Sequence, residues 1–134
     1  MIFHSIRFEL KKDVSEEQVQ PVLAQLHKMG DEIAAVQTYC VGRDFGGDFD
    51  YGATFVIKNI DDYEAYMHSP IHRKVDEIGL PLVANMVSYD VTDDEDPTIG
   101  DRIAKIHKER FAGDKDLADL VGGLGSYSGS SKPE

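Results

Sequence analysis

Residues 2–10 alternate in polarity: Ile2, His4, Ile6, Phe8 and Leu10 fall on one face, and Phe3, Ser5, Arg7 and Glu9 on the other. A period of two with one apolar face predicts a half-buried strand, in which His4 is the lone polar member of the apolar side. Ser15 followed by Gln18 has the form of a capping box. Val19, Val22, Leu23, Leu26 and Met29 then recur at helical spacing, with Gly30 placed to stop the helix. Pro21 is awkward inside it, because proline lacks the N–H and clashes with the preceding turn. Either the first turn is irregular or the regular helix begins near Pro21. Residues 33–42 and 51–58 predict two more strands, joined through the Gly46-Gly47-Asp48 turn into a hairpin. Asn59 is a cap for a helix over 60–68. Ser69-Pro70 then supplies an N-cap and a first helical position for a second short helix from Pro70 to Ile78. A fourth strand spans 83–90.

The order β-α-β-β-α-α-β predicts an α+β, ferredoxin-like domain with a four-stranded antiparallel sheet and helices on one face. The other face carries Ser5, Thr54 and Val56 and, by parity in the fourth strand, Ala84, Met86 and Ser88. Such a face is too mixed for a single-chain core and too apolar for full exposure. It predicts a homodimer packed sheet to sheet.

Residues 1–91 form this domain, and residues 92–134 form an appendage. The appendage opens with an acidic linker, Thr92 to Pro97. Ile99, Ile103, Ile106 and Phe111 follow on one side of a predicted helix, with a further turn at Leu117, Leu120 and Val121. A stripe this short is not an independent helix in water, so it is expected to dock on the core. Gly125 to Glu134 is rich in glycine and serine and predicts disorder.

Charge changes the picture next. The 134 residues carry a net charge of -11, which disfavours phosphate backbones and anionic membrane surfaces, so neither nucleic acid nor membrane is an expected partner. The single cysteine, Cys40, forms no internal disulfide and is expected to pack within its strand. The start has no signal-peptide pattern and no segment is long and apolar enough to span a bilayer, so the expected location is cytoplasmic.

The richest chemistry lies in Tyr66-Met67-His68-Ser69-Pro70-Ile71-His72. With Ser69 as cap, His72 occupies the first turn, where the positive helix end disfavours imidazolium. A neutral imidazole is what a general base needs, and Tyr66, one turn earlier, can donate to a developing enolate or oxyanion. His4 points beneath the helices, so the three are expected to share one cavity. The bland alternative is a histidine shielding a helix end, a packing tyrosine and a satisfied core histidine. His68 and His72 are four apart, but Pro70 breaks the helix between them, so no metal site is expected. His27 and His107 are expected at the surface. No phosphate-binding or dinucleotide motif is present.

The opening Ile2-Phe3-His4-Ser5-Ile6-Arg7-Phe8, Val41-Gly42-Arg43, the Tyr51-to-Ile57 strand, the Tyr66-to-His72 segment and Tyr89-Asp90 together resemble the stress-responsive A/B-barrel (dimeric α/β-barrel) family. The resemblance covers residues 1–91. It implies a dimer whose sheets close a barrel. Its best-understood catalytic member, a plant olivetolic acid cyclase, closes a linear tetraketide by aldol condensation without metal or organic cofactor. By that resemblance His72 is the base, Tyr66 the oxyanion donor and His4 their support. The first helix offers Val22, Leu23 and Leu26 where the cyclase has aromatic side chains, so a pentyl-chain tetraketide is not indicated.

Two function classes follow. One is an A/B-barrel protein of unassigned role that binds a small organic ligand between sheet and helices. The other is a cofactor-free cyclase or isomerase acting on a small carbonyl compound through His72. An open cavity reaching His72 and Tyr66 favours the second, and a filled interior favours structural histidines.

Overall fold

The computed structural model describes residues 1–130. In chain order the elements are β1 (Ile2–Leu10), α1 (Glu16–Glu32), β2 (Val36–Arg43), β3 (Tyr51–Ile57), α2 (Ile60–Met67), α3 (Pro70–Gly79), β4 (Val83–Thr92), α4 (Ile99–Ala112), α5 (Lys115–Gly122) and β5 (Ser126–Gly129). A 3-10 turn, Leu80–Leu82, joins α3 to β4.

The ferredoxin-like core is present, but the sheet is five-stranded and mixed, in the order β2-β3-β1-β4-β5. Its first four strands are antiparallel. β5 adds parallel to β4, with Met86 opposite Tyr127. The sequence predicts four strands and a disordered Gly/Ser-rich end. The difference arises because Gly129 permits a close approach: its φ is +117°, and a Cβ there would fall 1.5 Å from the Ser88 carbonyl oxygen. The expectation of disorder for residues 131–134 lies outside the described residues.

Helix α1 starts at Glu16 under the Ser15–Gln18 capping box and runs through Pro21 without a break. Gly30 does not end it. A Cβ at Gly30 would sit 2.1 Å from the Tyr39 ring, so this glycine lets β2 cross close beneath the helix. Val19, Val22, Leu26 and Met29 form its buried face. Ser69 and Pro70 start α3 as expected, the Ser69 hydroxyl accepting from the Ile71 N–H.

Register corrects the parity of β4. Ile6 pairs with Ser88 and Phe8 with Met86, so Ser88 and Met86 point under the helices with the core. The open face instead carries Asn85, Val87, Tyr89 and Val91, opposite Glu9, Arg7, Ser5 and Phe3. Phe3 and Val91 are 43% and 61% exposed there. Cys40, opposite Thr54, is exposed on this face rather than packed.

The appendage docks on its own chain. Ile99, Ile103 and Ile106 of α4 join the core, and Phe111, Leu117 and Val121 form a second apolar cluster with Leu80. Burying these side chains contributes roughly 1.5–3 kcal/mol each before entropy is subtracted. No helix among the described residues is long and apolar enough to cross a membrane.

Candidate functional site

The underside of the helices holds two adjoining groups of polar side chains. The first centres on His4, buried on β1 because its neighbours in the alternation, Ile2 and Ile6, face the core. Across the ladder it meets Asp90 of β4, and the His4 Nδ1–H donates to Asp90 Oδ1 at 2.8 Å. Tyr63, fully buried on α2, donates to Asp90 Oδ2 at 3.1 Å, and its oxygen lies 2.7 Å from His107 Nε2 of α4. The Ser130 hydroxyl also donates to Asp90. Burial works to raise the Asp90 carboxyl, but His4, Ser130 and His107 hold it below its ordinary range. Burial, then Asp90, pushes the Tyr63 phenol far up. Burial, then His4, lowers His107 to about 3, so it is neutral at physiological pH.

The second group spans the α2–α3 junction. The Tyr66 and His72 rings lie 4.9 Å apart and 31° from parallel, across the Ser69-Pro70 break, after which α3 packs against α1. The Tyr66 ring is also 5.6 Å from His4. Burial, then the Arg110 guanidinium, holds His72 well below its ordinary range. The imidazole is thus neutral, as the sequence predicts, but burial rather than the helix end is the leading cause. The Nδ1 atom of His72 is buried and has no hydrogen-bond partner among the described residues. Burial, followed by Asp76, raises the Tyr66 phenol. One turn beyond His72, Asp76 pairs with Arg110 of α4.

His4, Tyr66 and His72 line one cavity of about 50 Å³, closed by Phe111, Leu117, Val121 and Tyr127 of the appendage. That is room for a few water-sized molecules. An apolar cavity of about 40 Å³ adjoins it and shares Leu26, Val75, Asp76 and Met86 as walls. The interior is therefore neither filled nor widely open. His68 is exposed and separated from His72 by the break, and no group of metal-ligating side chains occurs among the described residues.

Sequence reasoning missed Tyr63, Asp76, Asp90, His107 and Arg110. His107 was expected at the surface but is 2% exposed. Its place four residues after Ile103 continues the apolar stripe of α4, a signal that was available. Tyr63 stands one turn before Tyr66, on the same helix face. The partnership of Asp90 with His4 needs the β1–β4 register, and that of Arg110 with Asp76 needs the docking of α4.

The stress responsive A/B barrel domain matches residues 2–93. The chain belongs to this family. Among solved structures, it is similar to a dimeric ferredoxin-like protein of unknown function from Thermobifida fusca. That pair shares 28% identity and a TM-score of 0.62, covering 68% of this chain and 89% of the other. It is also similar to a hydroxynitrile lyase from Passiflora edulis, at 15% identity and TM-score 0.63, over 70% and 94% of the two chains. A third is SnoaB, a cofactor-independent oxygenase from Streptomyces nogalater, at 14% identity and TM-score 0.57, over 72% and 96%. No curated protein matches. Three of the similar solved structures are dimeric proteins of ferredoxin-like fold. The match to the A/B-barrel family ends at Asp93, so α4, α5 and β5, which close the cavity, lie beyond it.

Proposed function

We propose that this A/B-barrel protein binds a small organic molecule bearing a carbonyl oxygen in the cavity between sheet and helices. The observation that carries this reading is His72: a neutral, buried imidazole with an unpartnered Nδ1, tilted against the Tyr66 ring on a largely apolar cavity wall. A buried polar atom without a partner costs about 1–3 kcal/mol, and a ligand that supplies the missing bond recovers it. Apolar walls with a few convergent polar groups are the usual composition of small-molecule sites.

The test is a titration of the ¹³C-histidine-labelled protein with butanone. Saturable shifts at His72, with exposed His27 and His68 unmoved, are expected, and Val75→Trp, which fills the cavity, abolishes them. Shifts that are absent, or equal at all histidines, overturn the reading.

The second reading is catalysis without a cofactor, as a cyclase or isomerase. His72 takes a proton from the carbon beside the carbonyl, Tyr66 donates to the enolate oxygen, and His4, oriented by Asp90, supports them. The neutral state of His72 favours this reading, and the hydroxynitrile lyase and the cofactor-independent oxygenase supply analogies on the same fold. Deuterium exchange into butanone in D₂O checks it, with His72→Phe expected to remove roughly 10²-fold or more of the rate.

The dimer contact in this proposal is the open sheet face, through Phe3, Tyr89 and Val91. β5 already covers the outer edge of β4, so an edge pairing there is blocked. Light scattering at micromolar concentration is expected to give a dimer that Val91→Glu dissociates.

A further inference from the structure

We propose that Arg110, held by Asp76 at the wall beside His72, is an anion-recognising residue, and that the molecule this cavity takes carries a carboxylate. The inference rests on the ligand-binding reading above and narrows it.

Arg110 comes from α4, beyond the stretch that matches the family, yet it lines the same cavity as Tyr66 and His72. It is the only lysine or arginine among the described residues that does so. Its side chain is 9% exposed, and its one bond among the described residues is from Nη2 to Asp76. A guanidinium has five N–H donors in a rigid fork suited to a carboxylate. Nε and Nη1 are therefore left for a further acceptor.

A purely structural role accounts poorly for this pair. Apolar residues of similar volume would join α3 to α4 as well, without the desolvation cost of two buried charges. The surroundings also favour an anion. Burial works to raise the Asp76 carboxyl and Arg110 to lower it, and the pair engages only Nη2 of the fork. The guanidinium field still reaches His72, where it adds to burial in holding the imidazole neutral. A carboxylate in the cavity accepts from Nε or Nη1 of Arg110, and Tyr66 and the neutral His72 have protons to offer a second oxygen.

The test compares propionate with its neutral isostere propionamide on the full chain at constant ionic strength, read by His72 ring shifts. Propionate is expected to bind at least ~10-fold tighter, a difference of about 1.4 kcal/mol. Arg110→Lys keeps the charge but loses the fork, and the preference falls several-fold. The double variant Arg110→Met with Asp76→Leu removes both charges without leaving one stranded, so the preference disappears while propionamide still binds. Equal affinities in the natural protein overturn the inference, as does a preference that survives in a folded double variant. Amide binding without preference sinks the carboxylate alone and leaves the ligand-binding reading standing. Binding of neither probe, with butanone also silent, sinks both.

Discussion

The two polar groups beneath the helices are neighbours, yet they are built on opposite terms. Around His4 the polar side chains satisfy one another: Asp90 accepts from His4, Tyr63 and Ser130, and Tyr63 meets His107. Around His72 they do not, since Nδ1 lacks a partner and Arg110 spends one bond on Asp76. A satisfied network in a low-dielectric interior fixes the packing of the elements that supply it. It ties β1, β4, α2 and α4 together. An unsatisfied one contributes little to stability and leaves donors and acceptors for something else. The contrast fits an anchoring role for the first group, and the proposed function gives ligand recognition to the second.

The largest expected effect comes from removing residues 94–134, which breaks both groups at once. Tyr63 loses His107, Asp76 loses Arg110, and the apolar side chains of α4 and α5 no longer cover the core. A fall in Tm of about 10 °C or more is expected by calorimetry. An unchanged Tm would show that the docked appendage adds nothing.

Next is Asp90→Ala, which attacks the satisfied group alone. His4 and Tyr63 keep their buried polar atoms and lose their acceptor, at a cost of about 3 kcal/mol in urea unfolding. A loss below ~1 kcal/mol would remove the anchoring role.

Acid separates the groups more gently. In the unfolded chain histidine takes up its proton near pH 6.5, but folded His107 does so only at about 3. Between those values the unfolded state holds more protons, so stability falls as pH falls. The slope is about 1.4 kcal/mol per pH unit for each histidine kept neutral. Because His72 is also depressed, His107→Phe should reduce the slope and leave part of it. A profile flat from pH 6.5 to 4 would contradict the neutral burial of both.

The smallest effect is at His72→Phe. Its Nδ1 lacks a partner and the ring keeps only a hydrogen bond to the Tyr66 backbone, so stability should stay within about 1 kcal/mol of the natural protein, or rise. A loss as large as that of Asp90→Ala would make His72 an anchor too and erase the contrast.

Most of the core was legible along the chain. The alternation of 2–10, the Ser15–Gln18 box and the Ser69-Pro70 break each act within a few residues, where local hydrogen bonding and side-chain direction decide the outcome. They determined β1, the start of α1 and the place of His72 in the first turn of α3. The family resemblance likewise rested on contiguous segments. What failed depended on partners distant in sequence. Parity in β4 is not legible from alternation, which does not give register, and a shift of one residue exchanges the two faces. The Gly/Ser-rich end was expected to be disordered, yet a sheet edge supplies hydrogen bonds that its composition does not reveal.

The sequence by itself therefore determined the elements of residues 1–91, their ferredoxin-like order and the choice of His4, Tyr66 and His72 as candidates. Only the tertiary structure decided which polar atoms are satisfied. Asp90 reaches His4 through strand pairing, and His107 and Arg110 reach Tyr63 and Asp76 through helix docking. The physical reason is range: backbone propensity and capping act over a turn or two. Desolvation and ion pairing depend on what lies across the core, set here by contacts 34 to 86 residues apart.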